Sequence, residues 1–218
     1  MVIFSRDVDI ARYEPVLFGE LHLEQQVLIS GEAGVIDGTT FRDSGADFTG
    51  SGVKAGGVIY VRSPDGTIDG IREIVSVDSA TELTVSVIRA EGASAEVMPA
   101  GGEELAWRIS TFEPQAAEAG LGLTESFGIR PGNPDSQYSA EDIADAGALR
   151  ICSIYMVLSS VYAMLANAAK DDNMWKKSLF YRGEFEKAME RCRFSIDTDG
   201  DGAGDVSFSG RAIKLNRV

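Results

Sequence analysis

Residues 197–205 carry the run whose residue types and spacing point to a chemistry: Asp197-Thr198-Asp199-Gly200-Asp201-Gly202-Ala203-Gly204-Asp205. Asp197, Asp199, Asp201 and Asp205 fall at positions 1, 3, 5 and 9 of an EF-hand-type loop, with Gly202 at position 6. Carboxylates at alternate positions converge on one hard cation, and glycine permits the sharp turn between them. Ca²⁺ is the ion such a string takes, although the chain requires no cofactor. Two departures weaken the site. Position 12 is Phe208, so the bidentate Glu is missing, and the segment that follows reads as a strand rather than a helix. The other reading is an acidic Asp-Gly turn whose carboxylates bond nearby N–H groups.

No second constellation supports chemistry. His22 is the single histidine and sits in a short alternating run, where a structural side chain is the better reading. One histidine without a matched nucleophile gives no Ser-His-Asp or Cys-His set. Gly50-Ser51-Gly52 is not followed by a helix and makes a poor phosphate loop. Trp107 and Trp175 read as core residues rather than a stacking platform. The chain reads as a structural protein and not an enzyme.

Charge narrows the partners. The chain of 218 residues has a net charge of −14. Such a chain is a poor general binder of nucleic acid, because phosphate contacts need Lys and Arg. It can still surround DNA without trapping it. Cys152 and Cys192 could pair across a hairpin, but two buried free thiols in a reducing compartment fit better. The N-terminus lacks a basic stretch and meets acids within seven residues, so no signal peptide is expected. The apolar run 151–169 contains Ser153, Ser159, Ser160 and Asn167 and is too short and polar for a membrane span.

The elements that must position the acidic loop follow from periodicity. Residues 1–25 read as an N-terminal arm or strand. Residues 26–112 read as a β module. A strand over 26–30 precedes Gly-rich turns at 31–34 and at Asp37-Gly38. Runs at 58–61, 74–77, 83–87 and 105–109 alternate in the manner of half-buried strands. Close spacing of short strands points to a small antiparallel barrel or sandwich.

Residues 113–138 contain Pro114, Pro131 and Pro134 and four glycines, and read as a linker or extended arm with a helical turn near 115–119. Residues 139–194 read as helical, with Ser139 as N-cap and Asp142 completing a capping box. Apolar positions 151, 154, 155, 158, 161, 162 and 165 follow helical spacing. A second helix from Met174 carries a stripe of Trp175, Leu179, Phe185, Met189 and Cys192, and a short connection makes the pair an antiparallel hairpin. The expected fold class is α+β: a small antiparallel β barrel or sandwich, then a helical hairpin with the Asp-Gly loop and a strand-like tail over 139–218.

Residues 41–48, 52–56 and 73–85 resemble the small β module of neck and tail proteins of tailed bacteriophages. Those residues include Phe41-Arg42-Asp43-Ser44-Gly45-Ala46-Asp47-Phe48 and Glu73-Ile74-Val75-Ser76-Val77. Lys177-Ser178-Leu179-Phe180-Tyr181-Arg182, the 196–202 segment and the closing Leu215-Asn216-Arg217-Val218 resemble phage head-to-tail connector (adaptor) proteins.

The resemblance implies a virion neck protein made in the bacterial cytoplasm and assembled as a homo-oligomeric ring, twelve-fold in that family, between portal and tail proteins. DNA would pass through without sequence-specific binding, and no membrane is involved. The resemblance carries no catalytic residues. It places partner contacts on the helices and the tail, here Arg211, Ile213, Lys214, Leu215, Arg217 and Val218. The competing expectation is a calcium-binding surface or adhesion module built on the 197–205 loop.

Overall fold

The computed structural model describes residues 2–170 and 172–210. The chain divides into two compact units: Arg6–Phe112, and Met1–Ser5 together with Glu113–Val218.

The first unit is a closed six-stranded antiparallel barrel. Its strands are β1 (Val27–Asp37), β2 (Thr40–Arg42), β3 (Val58–Arg62), β4 (Asp69–Val77), β5 (Glu82–Ser86) and β6 (Gly102–Ser110), in the order β1-β2-β5-β4-β3-β6. Closure through β1 and β6 leaves no edge strand. The inward residues include Ile36, Phe41, Ile59, Val61, Ile74, Leu83, Val85, Leu105, Trp107 and Ile109. They form one apolar core, and barrel rather than sandwich is the outcome. β1 and β2 turn through Gly38 and Thr39, with Gly38 at φ +63°, as a two-residue hairpin turn requires.

β1 runs well beyond the expected residue 30 and includes Gly31 and Gly34, which read as turn signals. The reason lies on the two neighbouring strands, where Trp107 of β6 is the direct partner of Gly31 and β2 carries Phe41. A Cβ on Gly31 would sit 2.7 Å from Trp107 Nε1, and one on Gly34 2.7 Å from Phe41 Cε2. These glycines let large rings lie flat on the strand, and the pairing register shifts between them.

Residues 6–25 correct the expected arm or strand. Asp7–Ala11 form a short helix, α1, and Pro15–Leu17 a 3-10 turn. Asp9 Oδ2 accepts the Arg6 N–H at 2.9 Å and closes the helix start. Val8, Ile10 and Ala11 are buried, so the Asp7/Asp9 alternation belongs to one helical turn and not to a strand.

The second unit is mainly helical: α2 (Glu113–Ser126), α3 (Gly147–Ala169) and α4 (Asp172–Arg191), followed by the hairpin β7 (Arg193–Ile196) and β8 (Val206–Ser209). α2 replaces the expected linker over 113–126. Pro114 lies in its first turn, where a missing N–H costs nothing. Gly120 has no room for a Cβ because the Val2 carbonyl packs against it. The glycine that looked like a breaker is a contact site.

α3 begins at Gly147, later than the capping pattern implied. Asp142 does accept the Ser139 N–H at 2.7 Å. That bond shapes a turn, and Ile143 goes on to bridge Ile196 of β7.

α3 and α4 form the expected antiparallel hairpin, turning at Lys170 in the left-handed conformation (φ +51°). Ser178 Oγ donates to the Ser159 carbonyl at 2.8 Å, and Ser159 Oγ donates to that of Ser178 at 3.1 Å. Tyr162 and Tyr181 stack at 5.9 Å. By length and composition Gly147–Ala168 would also cross a bilayer. In this unit its Cys152, Val157, Leu158, Val161 and Tyr162 are buried, and Ser153 bonds Ser5 at 2.8 Å.

Candidate functional site

The Asp-Gly loop joins β7 to β8 at one end of a four-residue ladder. Its base is fixed by Asp197 N–H to Asp142 O and Asp205 N–H to Ile196 O, each 2.8 Å. Asp197 organises the interior. Its Oδ1 accepts the Gly200 N–H at 2.7 Å and its Oδ2 the Gly202 N–H at 2.8 Å. Gly200 and Gly202 take φ of +79° and +87°, a region that favours glycine. Asp205 Oδ2 accepts both the Thr198 N–H at 2.8 Å and its hydroxyl at 2.6 Å.

The expected ligand set is only partly assembled. One oxygen each of Asp197, Asp199 and Asp205 lies within 4.8 Å of the others. Ca²⁺–oxygen distances of about 2.3–2.6 Å allow one ion to span such a set. Asp201 does not join the group; it accepts the Ala203 N–H at 2.7 Å instead. Three carboxylates would have to be supplemented by water or backbone oxygens to reach the coordination number Ca²⁺ takes. The hydrogen bonds within the loop already make it a turn without metal.

Those bonds give the loop a pH dependence. The Gly202 and Gly200 amides hold the Asp197 carboxyl below its ordinary range, and the Thr198 hydroxyl and amide do the same for Asp205. A carboxyl depressed in the folded state stabilises above its unfolded pKa and loses that contribution as pH falls through the depressed value. The Gly202 and Thr198 amide protons should therefore shift together, below the normal carboxylate range, in an NMR pH titration. Flat amide shifts would remove the proposed bonding.

A second surface was missed by periodicity. Trp175 and Leu179 were placed on the buried stripe of α4, yet each is 49% exposed, and Phe180 is 59% exposed. Only Phe185, Met189 and Cys192 from that stripe pack into the helical core. The inward positions of the first half are taken by Ser178 and Tyr181. Close approach of α3 needs the small Ser178, and this rotates Trp175 and Leu179 outward. Phe180, off the expected stripe and next to Leu179, was the signal available. Lys176 and Arg182 flank the three side chains on the helix.

His22 is placed as a structural side chain, with ring nitrogens 3.1 Å from the Gly19 carbonyl and 3.0 Å from Glu24 Oε1. Arg211, Ile213, Lys214, Leu215, Arg217 and Val218 lie outside the described residues. The strand expected directly after the acidic loop is β8, Val206–Ser209, and the strand-like alternation expected at 213–216 lies outside the described residues.

Fold and surface together define a small closed barrel joined to a helical hairpin that displays aromatic side chains. No protein-family model, curated protein or solved structure matched the chain.

Proposed function

We propose that the protein is a structural subunit of a homo-oligomeric ring in the neck of a tailed bacteriophage, joining portal to tail and letting DNA pass. The observation that carries this reading is the outward face of α4. Trp175, Leu179 and Phe180 are large apolar side chains left exposed within two turns of one helix, the kind of surface that partners cover. The acidic balance of the chain suits a lumen that repels DNA. The sequence likeness to phage connectors supplies the identity of the partners.

Native mass spectrometry and electron microscopy of the protein, alone and with portal, test this. The wild type should form rings, and a monomer indifferent to portal would defeat the reading. The double variant Trp175→Glu/Phe180→Glu should fold normally, since exposed substitutions change stability by roughly 0.5 kcal/mol or less. It should weaken association at least about 30-fold, as expected for a lost hot spot of ~2 kcal/mol.

The grouping of Asp197, Asp199 and Asp205 favours a second reading, a calcium-binding surface or adhesion module. Calorimetric titration with Ca²⁺ decides it. Heat that vanishes in Asp199→Asn supports the module, and none at millimolar Ca²⁺ leaves the loop as a turn.

A further inference from the structure

Cys152 and Cys192 play no part in assembly as proposed above. Both are buried in the helical core, Cys152 facing inward from α3 and Cys192 just past the end of α4. Cys192 Sγ lies 3.7 Å from the carbonyl of Ala148, one turn before Cys152 on the same helix. Both thiols belong to the same buried cluster, and each acts on the other's ionisation. The neighbouring Cys192 thiol and burial push the Cys152 thiol up. The Cys152 thiol draws Cys192 down, against burial and the Asp145 carboxylate.

Access distinguishes the two thiols. A groove of about 380 Å³ opens between α3 and α4 and reaches Cys192. Ile151 and Tyr155 form an apolar wall. Lys187, Arg191 and Arg193 line the groove against a single carboxylate, Glu184, which is bonded to Lys187 at 2.7 Å. The arrangement favours a small molecule carrying negative charge.

We propose that Cys192 and Cys152 form a thiol–disulfide exchange site whose groove admits a small anionic disulfide of the glutathione type. The Cys192 thiolate attacks one sulfur of that disulfide, whose S–S bond breaks. The first small thiolate leaves and takes up the proton that Cys192 lost. Cys152 then attacks the Cys192 sulfur, the mixed disulfide breaks, and the second small thiol leaves with the Cys152 proton. The protein loses two electrons and gains one S–S bond, and the small disulfide is reduced to two thiols. The new bond ties the end of α4 to α3.

The test uses the reduced full-length protein and glutathione disulfide, followed by intact mass and thiol counting. The wild type should lose both thiols and two hydrogens in mass, reversibly with dithiothreitol. Cys152→Ser should stop at a glutathione adduct on Cys192, and Cys192→Ser should react at neither position. Arg191→Glu/Arg193→Glu should slow the reaction with glutathione disulfide about tenfold while leaving that with cationic cystamine no slower. Circular dichroism of each variant confirms that it is folded. The proposal is overturned if the folded wild type keeps both thiols, if Cys152 reacts as fast in Cys192→Ser, or if the product is a disulfide between chains. Ring formation is read separately, so either proposal can fail without the other.

Discussion

Arg89→Met should destabilise the barrel by about 3–5 kcal/mol, the cost of leaving one charge of a buried pair without its partner. Arg89 and Glu73 side chains are only 7% and 1% exposed. Arg89 Nη2 donates to Glu73 Oε1 at 2.8 Å, and Nε donates to Oε2 at 3.2 Å. The Arg89 backbone N–H adds a third bond to Oε2 at 3.0 Å, and Nη1 donates to the Ser94 carbonyl at 2.8 Å. The pair thus ties β4 to the connection between β5 and β6. Urea unfolding followed by tryptophan fluorescence measures the loss. Glu73→Met/Arg89→Met should recover most of it, because an apolar pair leaves no buried charge. Equal losses in the single and double variants would show that packing, not charge, is what Arg89 supplies.

The pair also sets a pH limit. Burial alone would raise the Glu73 carboxyl, but the Arg89 hydrogen bonds and charge outweigh it and the net shift is downward. A depressed carboxyl contributes above its unfolded pKa, and the contribution is lost as pH falls through the folded value. Wild-type stability should thus drop on acidification more steeply than that of the double Met variant.

The second large effect is expected at Trp107. Its ring packs on Phe41 and Phe48, with centroids 5.5 and 5.4 Å away, and Nε1 donates to Asp43 Oδ2 at 2.7 Å in the buried interior. Trp107→Ala should cost about 3–5 kcal/mol through the cavity it leaves. Trp107→Phe keeps most of the packing but orphans one Asp43 oxygen, for about 1–3 kcal/mol. Fluorescence would lose its main barrel reporter, so amide circular dichroism in urea is the measurement. A Phe variant as stable as wild type would show that the Asp43 bond contributes nothing net.

Most of the barrel was legible because β-branched residues alternate at 74–77 and 83–87, and a half-buried strand requires that pattern. What stayed hidden was long-range. Nothing local says that Gly31 and Gly34 lie beneath Trp107, more than seventy residues away in sequence, so they read as turns. Gly120 masked α2 for the same reason, since it faces the Val2 carbonyl, whereas Pro114 is harmless for a local one, its place in the first helical turn. In the candidate site, the Asp197 turn was readable from Asp-Gly spacing. The departure of Asp201 was not, because the geometry depends on which amide each carboxylate captures. The outward face of α4 depended on the tight Ser159–Ser178 crossing, which hydrophobic spacing does not encode.

The division of the helical unit between the first five residues and the chain after Phe112 has a consequence for synthesis on the ribosome. The barrel is contiguous, and its closure waits only for β6. Ser5 and the Val2 carbonyl are made before the barrel, yet their partners Ser153 and Gly120 are made after it. Residues 2–5 must wait until α2 and α3 are made. Residues 2–5 and the helices that follow the barrel are therefore coupled in folding, and a change at residues 2–5 acts on α2 and α3.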